Sequence, residues 1–369
     1  MTKLLHISAN TYPPLDGKHH HTKNIWKELS KGFDEYHILA RSEDNKYVFS
    51  KEDNIYLHLV PKITKKSKTF FFTSFWMFYI IKKYKITHLL SQCPIVGGFS
   101  AVLASKVFKI PLMVEINGLD YIRWDEKNTL FGSLKYIQNY VFRNSTKIRY
   151  PNMYLKYFLE KNNFFNGVFI QHRVKHSIFN KQKQRFKLND TIKIISVGRF
   201  VWEKDYKFLI NTLQFLNLNI ELTLIGGGPD KKQYLDSCNK ENNNFKLKLI
   251  NWIEQKDMID LIISSDIYIQ TSISETGPRT ILEAMAMQMP IISSDVGLFP
   301  DISNLNIGLM YKKHNKEDLL NKINFMLENE RLREQLAKNA YRVSINKYEW
   351  NKVFELYRNE ILIMDYNND

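Results

Sequence analysis

Ser274-Glu-Thr-Gly-Pro-Arg-Thr-Ile-Leu-Glu-Ala-Met-Ala-Met-Gln-Met-Pro290 is the most informative stretch of the chain. Two glutamates, Glu275 and Glu283, stand in it with seven residues between them. Gly277 and Pro278 sit where a loop gives way to a helix. Proline suits a first helical turn, and Pro290 stops the run at its far end. Glu275 then lies in the loop, and Glu283 about one and a half turns into the helix. The backbone N–H groups at such a helix start form an anion site. A carboxylate just before it and another just inside it can hold hydroxyls around a phosphate, which is what a sugar nucleotide presents.

The flanking sequence extends this pattern. Ile192–Val197 is an apolar run of strand length that ends at Gly198 and Arg199. Lys204 follows five residues later, and 208–216 reads as a helix. Arg199 and Lys204 thus flank a turn at the end of a buried strand, where a diphosphate would collect cations. A second strand, 221–225, runs into the glycines of 226–229. A helix at 257–263, a strand at 267–271, the two-glutamate segment and a strand at 290–294 complete the series.

The segments "SVGRFVWEKDYKFLI", "LTLIGGGP" and "SETGPRTILEAMAMQMPIISSDVG" resemble, in order and spacing, the consecutive signatures of the family 4 retaining glycosyltransferases. The resemblance runs almost unbroken through the C-terminal half and is weaker in the N-terminal half. It implies the GT-B fold: two facing Rossmann-like, doubly wound parallel-sheet domains with the active site in the interdomain cleft.

Length and composition agree with two α/β domains. A chain of 369 residues fits two domains, and 44 % hydrophobic residues suffice for two cores. Short apolar strands alternate with helical segments from Lys3 to about Ser100 and again from Ile192 onward, which argues for parallel sheets. The expected division is an acceptor-binding domain at 1–175, a linker at 176–190, a nucleotide-sugar domain at 191–345, and a C-terminal helix at 346–369 packing back toward the first domain.

Cys93 and Cys238 are isolated and fit a reducing cytoplasm. The N-terminus reads as a first strand rather than a signal peptide, and no apolar run approaches the ~20 residues that span a bilayer. The formal net charge is +15, of which residues 1–172 carry +12 and residues 173–369 only +3. A basic first half points to an anionic membrane surface or an anionic acceptor on that side. Nucleic acid is not expected, because no nucleic-acid module is present. The excess is focused at Lys62, Lys65, Lys66 and Lys68, just before the aromatic run 70–81, with Lys82, Lys83 and Lys85 after it. Clustered lysines attract anionic lipid by about 1 kcal/mol each, and aromatics suit the lipid interface. The apolar run itself reads as a core helix leading to a strand at 87–90.

The resemblance also assigns the first loop. Gly17 matches the first glycine of the family's glycine-rich loop, and Lys18 replaces the second. Glycine there would let backbone approach the diphosphate closely, whereas lysine supplies charge. His19, His20 and His21 follow, but three neighbours in a row cannot all face one ion, so no metal is expected from them. At the end of an N-domain strand, Asn117 stands where related enzymes carry histidine, followed by Gly118 and Asp120. Asn117 can hydrogen-bond a hydroxyl or the leaving oxygen but cannot take a proton. The implied chemistry tolerates this change. In retaining enzymes of this type the departing phosphate accepts the acceptor's proton, and the protein positions groups and stabilises charge. No Asp-x-Asp triplet occurs, so side chains and helix N-termini, not a divalent ion, are expected to neutralise the leaving group.

The resemblance therefore implies a metal-independent, retaining hexosyltransferase. It would be cytoplasmic or peripheral on the inner face of the plasma membrane, working in surface polysaccharide or lipopolysaccharide synthesis. A nucleoside diphosphate sugar is the donor substrate, a glycan or lipid-linked saccharide the acceptor, and no cofactor is needed. Gly198, Arg199 and Lys204 hold the diphosphate, Glu283 the ribose, and Trp252, Ile253 and Glu254 the base. Glu275 holds the donor sugar together with Thr276, Gly277, Pro278, Arg279 and Thr280. Arg279 stands where the family usually has an apolar residue. The alternatives are a sugar-nucleotide epimerase or a phosphorylase on the same fold, and a non-catalytic scaffold. A phosphorylase needs a pyridoxal-lysine context that the sequence lacks. The set Arg199, Lys204, Glu275 and Glu283 argues against a scaffold.

Overall fold

The protein is represented by a computed structural model that describes residues 1–13, 15, 20–61, 70–118, 129–237 and 244–366. Gly17, Lys18, Lys62, Lys65, Lys66, Lys68, Asp120 and Cys238 lie outside the described residues. The chain forms two compact units, one of residues 1–170 with 351–369 and one of residues 171–350.

The first unit is built on β1 (Lys3–Tyr12), α1 (His20–Ser30), β2 (Glu35–Ser42), β3 (Val48–Glu52), β4 (Ile55–Val60), α2 (Phe70–Tyr84), β5 (His88–Ser91), α3 (Gly98–Phe108), β6 (Leu112–Glu115), α4 (Thr129–Arg143), β7 (Lys147–Tyr150), α5 (Met153–Lys161) and β8 (Gly167–Phe169). The sheet order is β3-β4-β2-β1-β5-β6-β7-β8, parallel except for the β3–β4 hairpin. Central strands such as β5 are buried at every position, on both faces, as in a covered parallel sheet. The chain moves outward from β1 through β2 and β4, then returns to lay β5 on the other side of β1. That reversal makes the β1–β5 junction a topological switch point, where ligands bind at the strand C-termini of doubly wound sheets. Helices α2 to α5 share one core: Met77, Val102, Phe142 and Leu159 belong to a single buried cluster. The run 70–81 is thus a core helix on one side, while Phe75 and Tyr79 face outward.

The second unit contains β9 (Ile192–Val197), α6 (Tyr206–Leu213), β10 (Ile220–Ile225), α7 (Lys231–Asp236), β11 (Phe245–Ile250), α8 (Gln255–Ser264), β12 (Ile267–Gln270), α9 (Arg279–Ala286), β13 (Ile291–Ser294), α10 (Phe299–Ile302), β14 (Leu309–Tyr311), α11 (Lys316–Glu328) and α12 (Glu330–Tyr348). Its sheet is β11-β10-β9-β12-β13-β14, all parallel. Here the reversal falls between β9 and β12. The strand ends that meet at this switch point lead directly into Gly198–Lys204 and into the two-glutamate loop.

Two local expectations are corrected. Pro278 is not in the first helical turn. It occupies the cap position with extended backbone (φ −67°, ψ 114°), and α9 starts at Arg279. The segment 176–190, expected as a linker, is part of the second unit. It is tied down by buried Phe179 and Phe186, by the Lys183 N–H donating to the Met287 carbonyl at 2.9 Å, and by Arg333 Nε donating to the Phe186 carbonyl at 3.0 Å. Its polar composition hid these anchors. The last helix, α13 (Trp350–Leu362), falls in the first unit from Asn351 onward.

Candidate functional site

At the end of β9 the chain enters a tight turn. A Cβ at Gly198 would stand 2.8 Å from the Tyr206 hydroxyl and 3.0 Å from Lys204 Cε. Glycine is therefore what lets Lys204 fold back over the strand end. Lys204 closes a single 3-10 turn, Trp202–Lys204, and Asp205 (φ 49°) redirects the chain into α6. Gly226 serves the same junction, since a Cβ there would fall 1.9 Å from the Gly198 carbonyl oxygen. The two glycine turns pack backbone against backbone.

The loop after β12 is stitched to this turn. Thr271 Oγ1 donates to the Lys204 carbonyl at 2.8 Å, and the Ile273 N–H donates to the Glu203 carbonyl at 2.9 Å. These bonds bring together two charges 71 positions apart: Lys204 Nζ donates to Glu275 Oε1 at 2.5 Å. Ser272 Oγ donates to the same oxygen at 3.0 Å, and Ser294 Oγ holds the Ser272 carbonyl at 2.6 Å. The Lys204 and Glu275 side chains are only 15 % and 17 % exposed. Hydrogen bonds to charged groups at such sites contribute roughly 1.5–3 kcal/mol.

The remaining loop is shaped by contacts with two residues that the sequence did not single out. A Cβ at Gly277 would lie 2.1 Å from His172 Cδ2, so Gly277 lets His172 press against the loop. Gly297, in the left-handed region (φ 71°), lies under Glu275 and Pro278, where a Cβ would come within 3.0 Å of Glu275 Cβ. Gln270 ends β12, is 3 % exposed, and neither polar atom of its amide has a hydrogen-bond partner among the described residues. A buried amide of that kind is costly unless something polar meets it. Gly297 follows a strand as a turn glycine should, which was a usable signal. His172, Ser272 and Gln270 carried none.

Glu283 is partly covered on the first turns of α9. Burial raises its carboxyl above the ordinary value, and the exposed Arg279 pulls it back down. Tyr268 of β12 is fully buried, and its hydroxyl donates to the Val197 carbonyl at 3.5 Å. Burial, with added push from the charges of Glu283 and Glu275, raises its phenol. Arg199 is exposed, and its guanidinium has no carboxylate partner among the described residues. Trp252 is 57 % exposed and its indole edges the glycine turn, with Nε1 3.2 Å from where a Gly227 Cβ would stand. Ile253 is partly buried, and exposed Glu254 is the cap of α8. Thr276 is buried and Thr280 partly so.

Asn117 lies in the first unit, exposed just beyond β6. Its amide nitrogen donates to Glu115 Oε2 at 3.0 Å and to the Gln92 carbonyl at 3.2 Å. Gln92 follows β5, so Asn117 sits beside the switch point of its own sheet.

Known proteins resemble this chain in sequence and in fold. The family model described as "Glycosyl transferases group 1" matches residues 178–343. An uncharacterized glycosyltransferase of Methanocaldococcus jannaschii is 27 % identical over 357 residues, covering 92 % of this chain and 93 % of that protein. The N,N'-diacetylbacillosaminyl-diphospho-undecaprenol alpha-1,3-N-acetylgalactosaminyltransferase of Campylobacter jejuni is 30 % identical over 166 residues, covering 44 % of this chain and 43 % of that one. Among solved structures, Anabaena HepE in complex with UDP has the same fold, with a TM-score of 0.74 at 11 % identity over 98 % of this chain and 100 % of that one. Residues 178–343 thus match the glycosyl transferases group 1, and the chain is a glycosyltransferase of the GT-B type.

Proposed function

We propose that this chain moves a sugar from a nucleoside diphosphate donor to a hydroxyl of a glycan or lipid-linked saccharide, with retention and without a metal ion. The observation that carries this reading is the Lys204–Glu275 pair, with Ser272, at the switch point of the second sheet. Lys204 and Arg199 take the diphosphate, Glu283 the ribose hydroxyls and Trp252–Glu254 the base. Glu275 and the backbone of 276–279 hold the donor sugar. The acceptor oxygen bonds to the anomeric carbon as the bond from that carbon to the phosphate oxygen breaks. The acceptor's proton passes to the departing diphosphate on the same face. No strong protein base is required, and the cations and helix N-terminus stabilise the charge that develops. The UDP bound by HepE supports a uridine diphosphate donor.

A thermal-shift screen against UDP-, GDP- and ADP-sugars tests the donor class. A donor at 100 times its Kd stabilises by about 2.7 kcal/mol, a shift of roughly 5–10 °C. No shift with any member would overturn the reading. An epimerase would convert the donor with no acceptor present, which product analysis detects.

The same reading includes a lipid-carried acceptor at an anionic bilayer, as the name of the Campylobacter relative supports. Among the described residues, no helix is long and apolar enough to cross a membrane. The outer face of the first unit's helical layer has the chemistry of an interface instead. Helices α2 to α5 contain seven lysines and arginines against a single acid, Glu160. Each exposes a large apolar side chain: Phe75 69 %, Val107 63 %, Tyr136 79 % and Tyr157 64 %. The Lys106 ammonium lies over the Tyr140 ring, 5.2 Å from its centroid, and donates to its hydroxyl at 3.4 Å. The protein is expected to sediment with anionic vesicles at low salt and to release them as salt screens exposed charges beyond about 8 Å. Equal binding to zwitterionic vesicles, or none to either, would remove the bilayer from the proposal.

A further inference from the structure

Two residues of the second unit hold a backbone conformation that glycine adopts most freely: Asp205 has φ 49° and His314 has φ 60°. They stand more than a hundred positions apart in sequence, yet their side chains meet. His314 Nδ1 lies 3.1 Å from Asp205 Oδ2.

Asp205 is part of the turn that carries Lys204. The Lys204 and Asp205 N–H groups donate to the Val201 and Trp202 carbonyls at 3.0 and 3.1 Å, and the Asp205 carbonyl accepts from Thr271 Oγ1 at 3.3 Å. Asp205 also stands at the N-cap of α6, where an aspartate ordinarily accepts from a backbone N–H of the first turn. Here the side chain makes no cap hydrogen bond. It is 18 % exposed, and Oδ2 has no aligned hydrogen bond among the described residues. A carboxylate oxygen so placed is costly unless a charge meets it. Burial raises the carboxyl, and His314 with the nearby Phe208 N–H pulls it back.

His314 is presented by a stiff segment between β14 and α11. The Lys312 N–H donates to Asp318 Oδ2 at 2.8 Å, the Lys313 N–H donates to Asp295 Oδ1 at 2.9 Å, and Asn315 caps α11 by accepting from the Asp318 N–H at 2.9 Å. The imidazole meets Phe208 of α6 edge-on, with centroids 6.2 Å apart, and Phe208 stacks on Tyr311. More than half of the His314 side chain is exposed, so its proton exchanges with water.

We infer that His314 is a positioning residue whose imidazolium neutralises the Asp205 carboxylate and pins the turn that aims Lys204. This rests on the placement of Lys204 at the donor diphosphate proposed above. The other ionisable groups around the pair are Glu203 and Lys204 on the turn, Tyr234 on α7, Tyr311, Lys312 and Lys313 beside His314, Asp295 after β13 and Asp318 on α11. Burial, with the charge of Asp205 added, raises both phenols. His314 is the one imidazole of this group. Loss of its proton strands the Asp205 anion, so transfer should fall as pH rises.

Asparagine also tolerates the left-handed backbone and carries no charge. His314→Asn should keep the fold and lower kcat about fivefold with little change in KM, a modest loss because water screens the exposed imidazole. The Lys204 and Asp205 amides should exchange faster with deuterium in this variant. Adding Asp205→Asn removes the stranded carboxylate and should restore most of the lost kcat. The alkaline fall of wild-type kcat should follow the titration of the His314 ring signals by NMR, and should be absent from both variants. Unchanged amide exchange in His314→Asn, a double variant no better than the single one, or an alkaline limb that persists in His314→Asn would overturn the positioning role. Amides that respond as expected while Lys204→Ala leaves kcat unchanged would instead overturn the placement of Lys204 at the diphosphate, so the two failures are told apart.

Discussion

Replacing Lys204 by alanine is expected to lower kcat by about 10²–10³-fold, the usual loss when one preorganised charge-stabilising group is removed. The ammonium is built in from three sides. Gly198 clears its path, the Thr271 hydroxyl fixes its backbone, and Glu275 holds its head at 2.5 Å. A cation so fixed needs little reorganisation when negative charge grows on a leaving diphosphate. Lys204→Ala also leaves Glu275 with Ser272 alone, so Lys204→Arg is the companion variant. It keeps the charge and loses the geometry, and should fall between wild type and alanine. Arg199→Ala should be damaging through lost charge without disturbing Glu275, since Arg199 has no carboxylate partner among the described residues. A chelator should leave wild-type transfer nearly unchanged. Activity lost in chelator and restored by magnesium or manganese would show that a metal ion, not Lys204, neutralises the diphosphate.

What the sequence discloses about this site follows from how local each determinant is. The strands β9, β10, β12 and β13 are legible because a parallel strand covered on both faces is mostly apolar along its length, with few polar breaks. The start of α9 is legible because glycine and proline punctuate it, although Pro278 is its cap and not its first turn. β11 is harder to see: Phe245–Ile250 reads FKLKLI, an edge strand whose lysines face out, and its alternation is too short to stand apart from a loop. The Lys204–Glu275 pairing could not be read at all. It depends on two loops meeting where the strand order reverses, and strand order is a tertiary fact.

Cradle residues are hidden for the same reason. Gly277 looks like a turn glycine, yet its constraint comes from His172, more than a hundred positions upstream. Asn117 was visible only as a departure from a family pattern. The buried Glu115–Arg149–Tyr357 brace beneath it joins two strands and the returning C-terminal helix. The segment 176–190 shows the converse error: a polar, lysine-rich stretch reads as linker although Phe179, Lys183 and Phe186 are all buried.

The two glutamates should fail differently. Glu283→Ala is expected to weaken donor binding about 10- to 150-fold, the equivalent of one charge-assisted hydrogen bond of roughly 1.5–3 kcal/mol, with a smaller change in kcat. Glu275→Ala should act mainly on kcat, because it removes both the group assigned to the reacting sugar and the anchor of Lys204. A pH profile separates them further. Burial raises the Glu283 carboxyl despite the opposing pull of Arg279. A carboxylate that must be ionised to accept ribose hydroxyls then supports binding above its raised pKa and loses it as pH falls through that value. Donor affinity in the wild type should therefore weaken on acidification earlier than an ordinary glutamate would dictate, and Glu283→Gln should flatten that limb. Hydrogen bonding of the donor favours the ionised form, so saturating donor should move the limb to lower pH. Titration of donor Kd against pH in wild type, Glu283→Gln and Glu275→Gln decides the matter. Equal and small losses in both alanine variants, or an acid limb that persists in Glu283→Gln, would take the ribose away from Glu283 and leave it as an ordinary helix carboxylate.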